Sequence, residues 1–171
     1  MADQAELFGG PPAADQTGNL TVWWVPTIAD RLAPKASTEI GAATAYRLTY
    51  SFTTGGWALT GSQTKNPDER LTSTQDLESL GKSTAALTLG YVDSTTAGSA
   101  AVVLVNGLSG YFVERRGTAQ TALAAAAQKV RVIPVTLGKQ IPGPVDGSGK
   151  FTYTQEVAIT GIIGEPVALA V

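Results

Sequence analysis

The 171-residue chain contains no cysteine, no histidine and a single methionine. Without thiols there is no disulfide, no thiolate nucleophile and no thiolate-bound metal. Without imidazole the commonest general base and most zinc chemistry are excluded as well. Charge is thin: Asp, Glu, Lys and Arg make up 15% of the residues, and the formal net charge is -2. Such a balance gives no general attraction to nucleic acid or to an anionic membrane. No apolar run approaches the roughly 20 residues that a membrane-spanning helix needs. The first twelve residues are acidic and rich in glycine and proline, without the basic start and apolar core of a signal peptide. The expectation is a soluble protein made in a cytosol, with no membrane partner.

Glycine is abundant (19 residues) and hydrophobic residues reach 43%, the profile of a turn-rich β protein. The length fits one domain with extended arms. The clearest strand is 151–160, where Phe151, Tyr153, Val157 and Ile159 share one parity and Thr152, Thr154, Glu156 and Thr160 share the other. Successive strand side chains point to opposite faces, so one face is dry and the other is wet or covered by a partner. Residues 110–116 and 129–137 also read as strands. So do 83–92, with Ala85, Leu87, Leu89 and Tyr91 inward, and 45–53, with Tyr46, Leu48, Tyr50 and Phe52 inward.

Residues 1–19 read as a flexible arm preceding a single domain over 20–171. Leu20–Val25 is a short strand stopped by Pro26. Its adjacent Trp23 and Trp24 must face opposite ways, so one enters the core and the other is partly exposed or meets a neighbouring subunit. Residues 37–42 form a brief helical turn. Residues 61–82 are polar, charged and proline-containing, and read as a long loop that contacts a partner through Asp68, Glu69, Arg70, Asp76 and Glu78. A helix is expected over about 97–106, with strand as the alternative because of its valines. For 118–128 alanine content favours helix and the short connection favours irregular chain. Residues 138–150 read as a loop, and 161–171 as a last apolar strand.

Catalytic motifs are weak. Gly81-Lys82-Ser83 ends like a phosphate-binding loop, but Asp76 stands where the first glycine belongs and a strand follows instead of a helix. The carboxylates of 68–78 sit in the most polar segment, which does not raise a pKa for acid–base work, and they lack calcium-loop spacing. Asp146-Gly147-Ser148-Gly149 is hairpin chemistry. Arg115 and Arg116 place one guanidinium on each face of a strand, suited to interface or surface ion pairs. No enzyme activity, cofactor or metal is expected. A carbohydrate- or protein-binding β-sandwich, an adhesion or capsid-decoration module using Trp57 or Trp24 as a stacking platform, is the alternative to a structural role.

Several pieces, in order, resemble the major tail (tail tube) proteins of long-tailed bacteriophages, especially those of actinobacteria. They are Val22-Trp23-Trp24-Val25-Pro26-Thr27-Ile28-Ala29-Asp30, the stretch 68–78, Leu87-Thr88-Leu89-Gly90-Tyr91-Val92, and Gly110-Tyr111-Phe112-Val113-Glu114-Arg115-Arg116-Gly117. The stretches 129–138 and 155–161 complete the set. The resemblance implies a mainly β protein: an antiparallel β-sandwich or barrel with one flanking α-helix. It also implies hexameric rings that stack into a virion tail tube, assembled in the host cytoplasm around a tape-measure protein and later conducting double-stranded DNA. Tail-tip and tail-terminator proteins are the other implied partners. Trp24, Asp68, Glu69, Arg70, Asp76, Glu78, Arg115 and Arg116 are then candidate subunit contacts. A wall that lets DNA slide needs few cations, a requirement that Thr152, Thr154 and Glu156 meet as candidate lumen residues and Arg47, Thr49 and Ser51 meet less well.

Overall fold

The computed structural model describes residues 15–68, 75, 77–145 and 149–171. Within them the chain forms β1 (Leu20–Val25), β2 (Tyr46–Arg47), β3 (Phe52–Asp68), β4 (Leu77–Val92), α1 (Ala100–Val103), β5 (Ser109–Arg116), β6 (Lys129–Pro142), β7 (Thr152–Ile159) and β8 (Val167–Ala168). The fold is mainly β, as expected: an antiparallel half-barrel in the order β2-β1-β5-β6-β7-β4-β3, with β8 beside β6. The sheet curls enough that Trp57 of β3 packs edge-on against Phe112 of β5, with ring centroids 5.3 Å apart.

Two cores lie on opposite sides of the sheet. The inner one gathers Trp24, Phe112, Leu87, Leu89, Tyr91, Ile133 and Leu137, closed over by Ala100 and Leu104 at α1. The second packs Trp23, Val25, Val113, Val130 and Val132 beneath Ile40 and Leu169. Strand alternation thus sends the adjacent tryptophans into different cores, and both are buried. The helical turn foreseen near 37–42 is a single π-helical turn, Ala36–Ile40, and its Ile40 lids the second core.

α1 is held from below by glutamines. Gln140 Nε2 donates to the carbonyls of Ala101 and Leu104, and Gln155 Nε2 donates to Leu104 O and Gly138 O. Tyr91 donates its hydroxyl to Gln155 Oε1 at 3.0 Å. The helix foreseen over 97–106 is therefore one turn long: β-branched valines resist extension, and side-chain amides satisfy the carbonyls that a longer helix would use.

Other expectations need correction. Of 45–53, Tyr46–Arg47 is strand and Phe52–Thr53 opens β3; between them Thr49–Ser51 is a 3-10 turn, and Tyr50 is 82% exposed. Val22 N–H donates to Thr49 Oγ1 in place of a ladder carbonyl, which ends the pairing. Residues 61–68 and 77–82 are not loop: they pair as a β-hairpin from Gly61↔Ala85 to Asp68↔Leu77. Their polarity reflects two wet faces, not an absence of strand. Of the two readings open for 118–128, irregular chain is the one found, with Ala127 at φ 68°. β6 runs on through Pro142, so 138–142 is strand, while 161–171 contributes only the two residues of β8. Phe151 precedes β7 and is 68% exposed.

Candidate assembly surfaces

Residues directly opposite each other in an antiparallel pair share a sheet face. Ser62↔Thr84, Thr60↔Ala86 and Ala58↔Thr88 join β3 to β4, Thr88↔Glu156 joins β4 to β7, and Ala158↔Thr136 and Thr136↔Ser109 carry the face across β6 to β5. Hydroxyl pairs reinforce it, Ser62 with Thr84 at 2.9 Å and Ser109 with Thr136 at 2.8 Å. Thr154 lies on the same face; it and Glu156 are exposed, and Thr152 is half-buried. None of these residues is cationic. The sequence shows each strand's parity, but only the pairing register merges them into one face of small side chains with a carboxylate in it.

The second surface is the hairpin arm. β4 pairs with β7 only over Leu87–Val92, so Leu77–Ala86 has β3 as its ladder partner. From Thr60 to Pro67 on one strand, and over most of Leu77–Ala86 on the other, side chains are exposed on both faces, Leu80 at 72%. Lys65 pairs with Glu78 at 2.8 Å across the arm. Asp68 closes the described part of β3 opposite Leu77. Glu69, Arg70 and Asp76 lie outside the described residues, as do residues 1–14 of the expected arm and 146–148 of the expected turn. Lys82 and Ser83 are strand residues of this arm, with no helix following, so they form no phosphate cradle. Among the described residues, no group of three or more Asp and Glu is placed to hold a metal, and no helix is long and apolar enough to cross a membrane.

The neighbouring arginines part company. Arg115 is fully buried on the second-core side, so it is not a surface contact. Its Nη1 donates to Leu123 O and Gln128 Oε1, and its Nη2 donates to Ala119 O, Ala122 O and Thr21 Oγ1. Its guanidinium lies 5.0 Å from the Trp23 ring centroid. Burial pushes its pKa down, with a smaller push from Arg47. Arg115 thus gathers the inward carbonyls of 119–123, which is why that alanine-rich stretch does not close as a helix. Arg116 is on the other face and two-thirds exposed, paired with the buried Glu114 at 2.6 Å.

The model of the phage tail tube protein family matches residues 10–171. The chain belongs to that family. No curated protein matches the sequence. A chain of the "anti-feeding prophage (AFP) baseplate, 6-fold symmetrised", solved by cryo-electron microscopy, shares the fold with a TM-score of 0.54 and 10% identity, over 94% of this chain and 97% of that one.

A phage tail tube protein is a structural component of the virion tail, not an enzyme, and works by associating with itself and with other tail components. That agrees with where the aromatic side chains lie. Trp24 is buried against Phe112 in the subunit's own core, with centroids 5.1 Å apart, so it neither contacts another subunit nor offers a stacking platform. Trp57 is half-buried against Phe52 and Phe112, and its indole N–H is engaged by Glu114.

Proposed function

We propose that this chain assembles into hexameric rings that stack into the tail tube of a long-tailed phage of the actinobacteriophage kind. The tube encloses a tape-measure protein during assembly in the host cytoplasm, ends at tail-tip and tail-terminator proteins, and conducts double-stranded DNA at ejection.

The β3–β4 arm carries this reading. A two-stranded ribbon wet on both faces is marginal in water, and a long open edge invites pairing. Covering it with the next subunit removes both problems, and a heterologous contact of this type generates rings and stacks. Asp68, Glu69, Arg70, Asp76 and Glu78 are then inter-subunit residues, with Arg116 a further surface candidate. The six-fold symmetry of the baseplate to which the structural relative belongs supports six copies per ring.

The threonine-rich face is the proposed lumen wall, with Thr152, Thr154 and Glu156 on it. Each cation in contact with phosphate would add affinity and drag, and the paired positions that make up this face supply none. Electron microscopy of negatively stained protein over a concentration series, with sedimentation in parallel, tests the assembly. Rings or hollow tubes of uniform width are expected. Monomers at every concentration, with no addition to tubes seeded by a tail-tip complex, would overturn the reading.

A further inference from the structure

Beside the base of the arm runs a groove of about 800 Å³, bounded by Leu59 and Thr84 on the hairpin, by Ile159 at the end of β7 and by Ile162 and Ile163 beyond it, with Arg131 in its lining. Ile162 stands 86% exposed at this groove. Arg131 is an under-paired cation: its Nε is buried without a hydrogen-bond partner, and its Nη1 is 3.9 Å from Glu114 Oε2. The other oxygen of Glu114 is already taken by Arg116 and by the Trp57 indole. A smaller adjoining cavity is lined by Arg116, Lys129, Arg131, Glu114 and Pro166, three cations to one carboxylate. A partly desolvated guanidinium with spare donors is a strong seat for a carboxylate.

The geometry points to the distal arm of a second copy of this chain as the occupant, a proposal that rests on the tube reading above. From Lys65 to Glu78 the sequence carries Asp68, Glu69, Asp76 and Glu78 against Lys65 and Arg70, a net charge of 2 − 4 = −2. The arm also presents Leu77 at 49% and Leu80 at 72% exposure. The acidic, leucine-bearing arm complements the cationic, isoleucine-lined groove. A chain cannot fill its own groove this way: Asp68 lies seven residues beyond Gly61, roughly 23 Å along an extended strand that leads away from the groove. The contact is therefore head-to-tail, each copy giving its arm to the next.

The natural absence of cysteine makes a direct test clean. A chain carrying both Leu80→Cys and Ile162→Cys, oxidised after assembly, is expected to give a ladder of covalent multimers on a denaturing gel, whereas either single variant stops at dimers. Adding Arg131→Glu should abolish the ladder and raise the concentration needed for assembly by roughly tenfold or more, as expected when a buried charge pair is lost. If that variant fails to fold by circular dichroism, Arg131→Gln takes its place with the same expected loss. Tubes that form normally yet give no ladder would overturn this contact and leave the tube reading standing. Failure of the wild-type chain to assemble, seeded or not, would overturn both. Retention of duplex DNA in a mobility shift, lost on Arg131→Gln, would overturn it in favour of a polyanion seat.

Discussion

Trp57 Nε1 donates a 2.9 Å hydrogen bond to Glu114 Oε1, linking β3 to β5 although β6, β7 and β4 lie between them in the sheet. With the edge-on contact of Trp57 to Phe112, it ties the arm-bearing end of the half-barrel to its middle. The same Oε1 also accepts from Arg116, so Glu114 is shared and meets Arg131 only through Oε2, at 3.9 Å.

Replacing Trp57 with phenylalanine keeps an aromatic ring but removes one of the donors to Glu114 Oε1, leaving Arg116 on that oxygen. The expected cost is about 1 kcal/mol, the usual net worth of one hydrogen bond whose acceptor stays satisfied. Urea denaturation of the unassembled protein measures it, and an unchanged midpoint would show that the bond contributes nothing.

Arg115→Lys tests the internal clamp. An ammonium cannot reproduce five hydrogen bonds to Thr21, Ala119, Ala122, Leu123 and Gln128, so several part-buried carbonyls lose their donors. A loss of about 3 kcal/mol is expected. Amide exchange should accelerate selectively over 119–128, and uniform exchange across the sheet would refute the assignment.

Tyr91 makes stability depend on alkaline pH. Burial pushes its phenol up from 10.0 to about 12, outweighing the lowering by Gln140. The folded state therefore keeps this proton at a pH where the unfolded chain releases it. Its contribution is fully present below pH 10 and is lost as the pH rises through about 12. Denaturant titrations at pH 8 and at pH 11 should show Tyr91→Phe less stable at pH 8, because Gln155 Oε1 loses its donor, but falling less steeply between the two. An equal fall in both proteins would exclude Tyr91 as the source.

Glu156→Lys reverses the charge on the threonine-rich face without touching either core, since Glu156 is exposed. Fold stability should change by less than about 0.5 kcal/mol, as is usual for surface positions. Tails should assemble to normal length, whereas DNA ejection, followed by dye fluorescence after receptor triggering, should slow and become more salt-dependent. Wild-type ejection kinetics would place this face outside the lumen.

The excluded chemistry was legible in composition, because a missing residue type cannot be restored by folding. Strand parity was legible where one face is buried: Leu87, Leu89 and Tyr91 point inward as alternation requires, and Gln155 and Val157 follow the same rule in β7. The β3–β4 arm was not, because a ribbon wet on both faces has no hydrophobic period and reads as loop. Nor was the fate of Trp23 and Trp24, which depended on whether a second core existed behind the sheet; residues distant in sequence, Ile40 and Leu169, provide it. Arg115 and Arg116 look equivalent in sequence, yet one is buried under a loop and the other faces solvent. Local alternation follows from backbone geometry and is written into each strand, whereas burial of both faces, the merging of threonines into one wall and the incomplete pairing of Arg131 depend on which strands become neighbours. That is settled by long-range pairing of the whole chain.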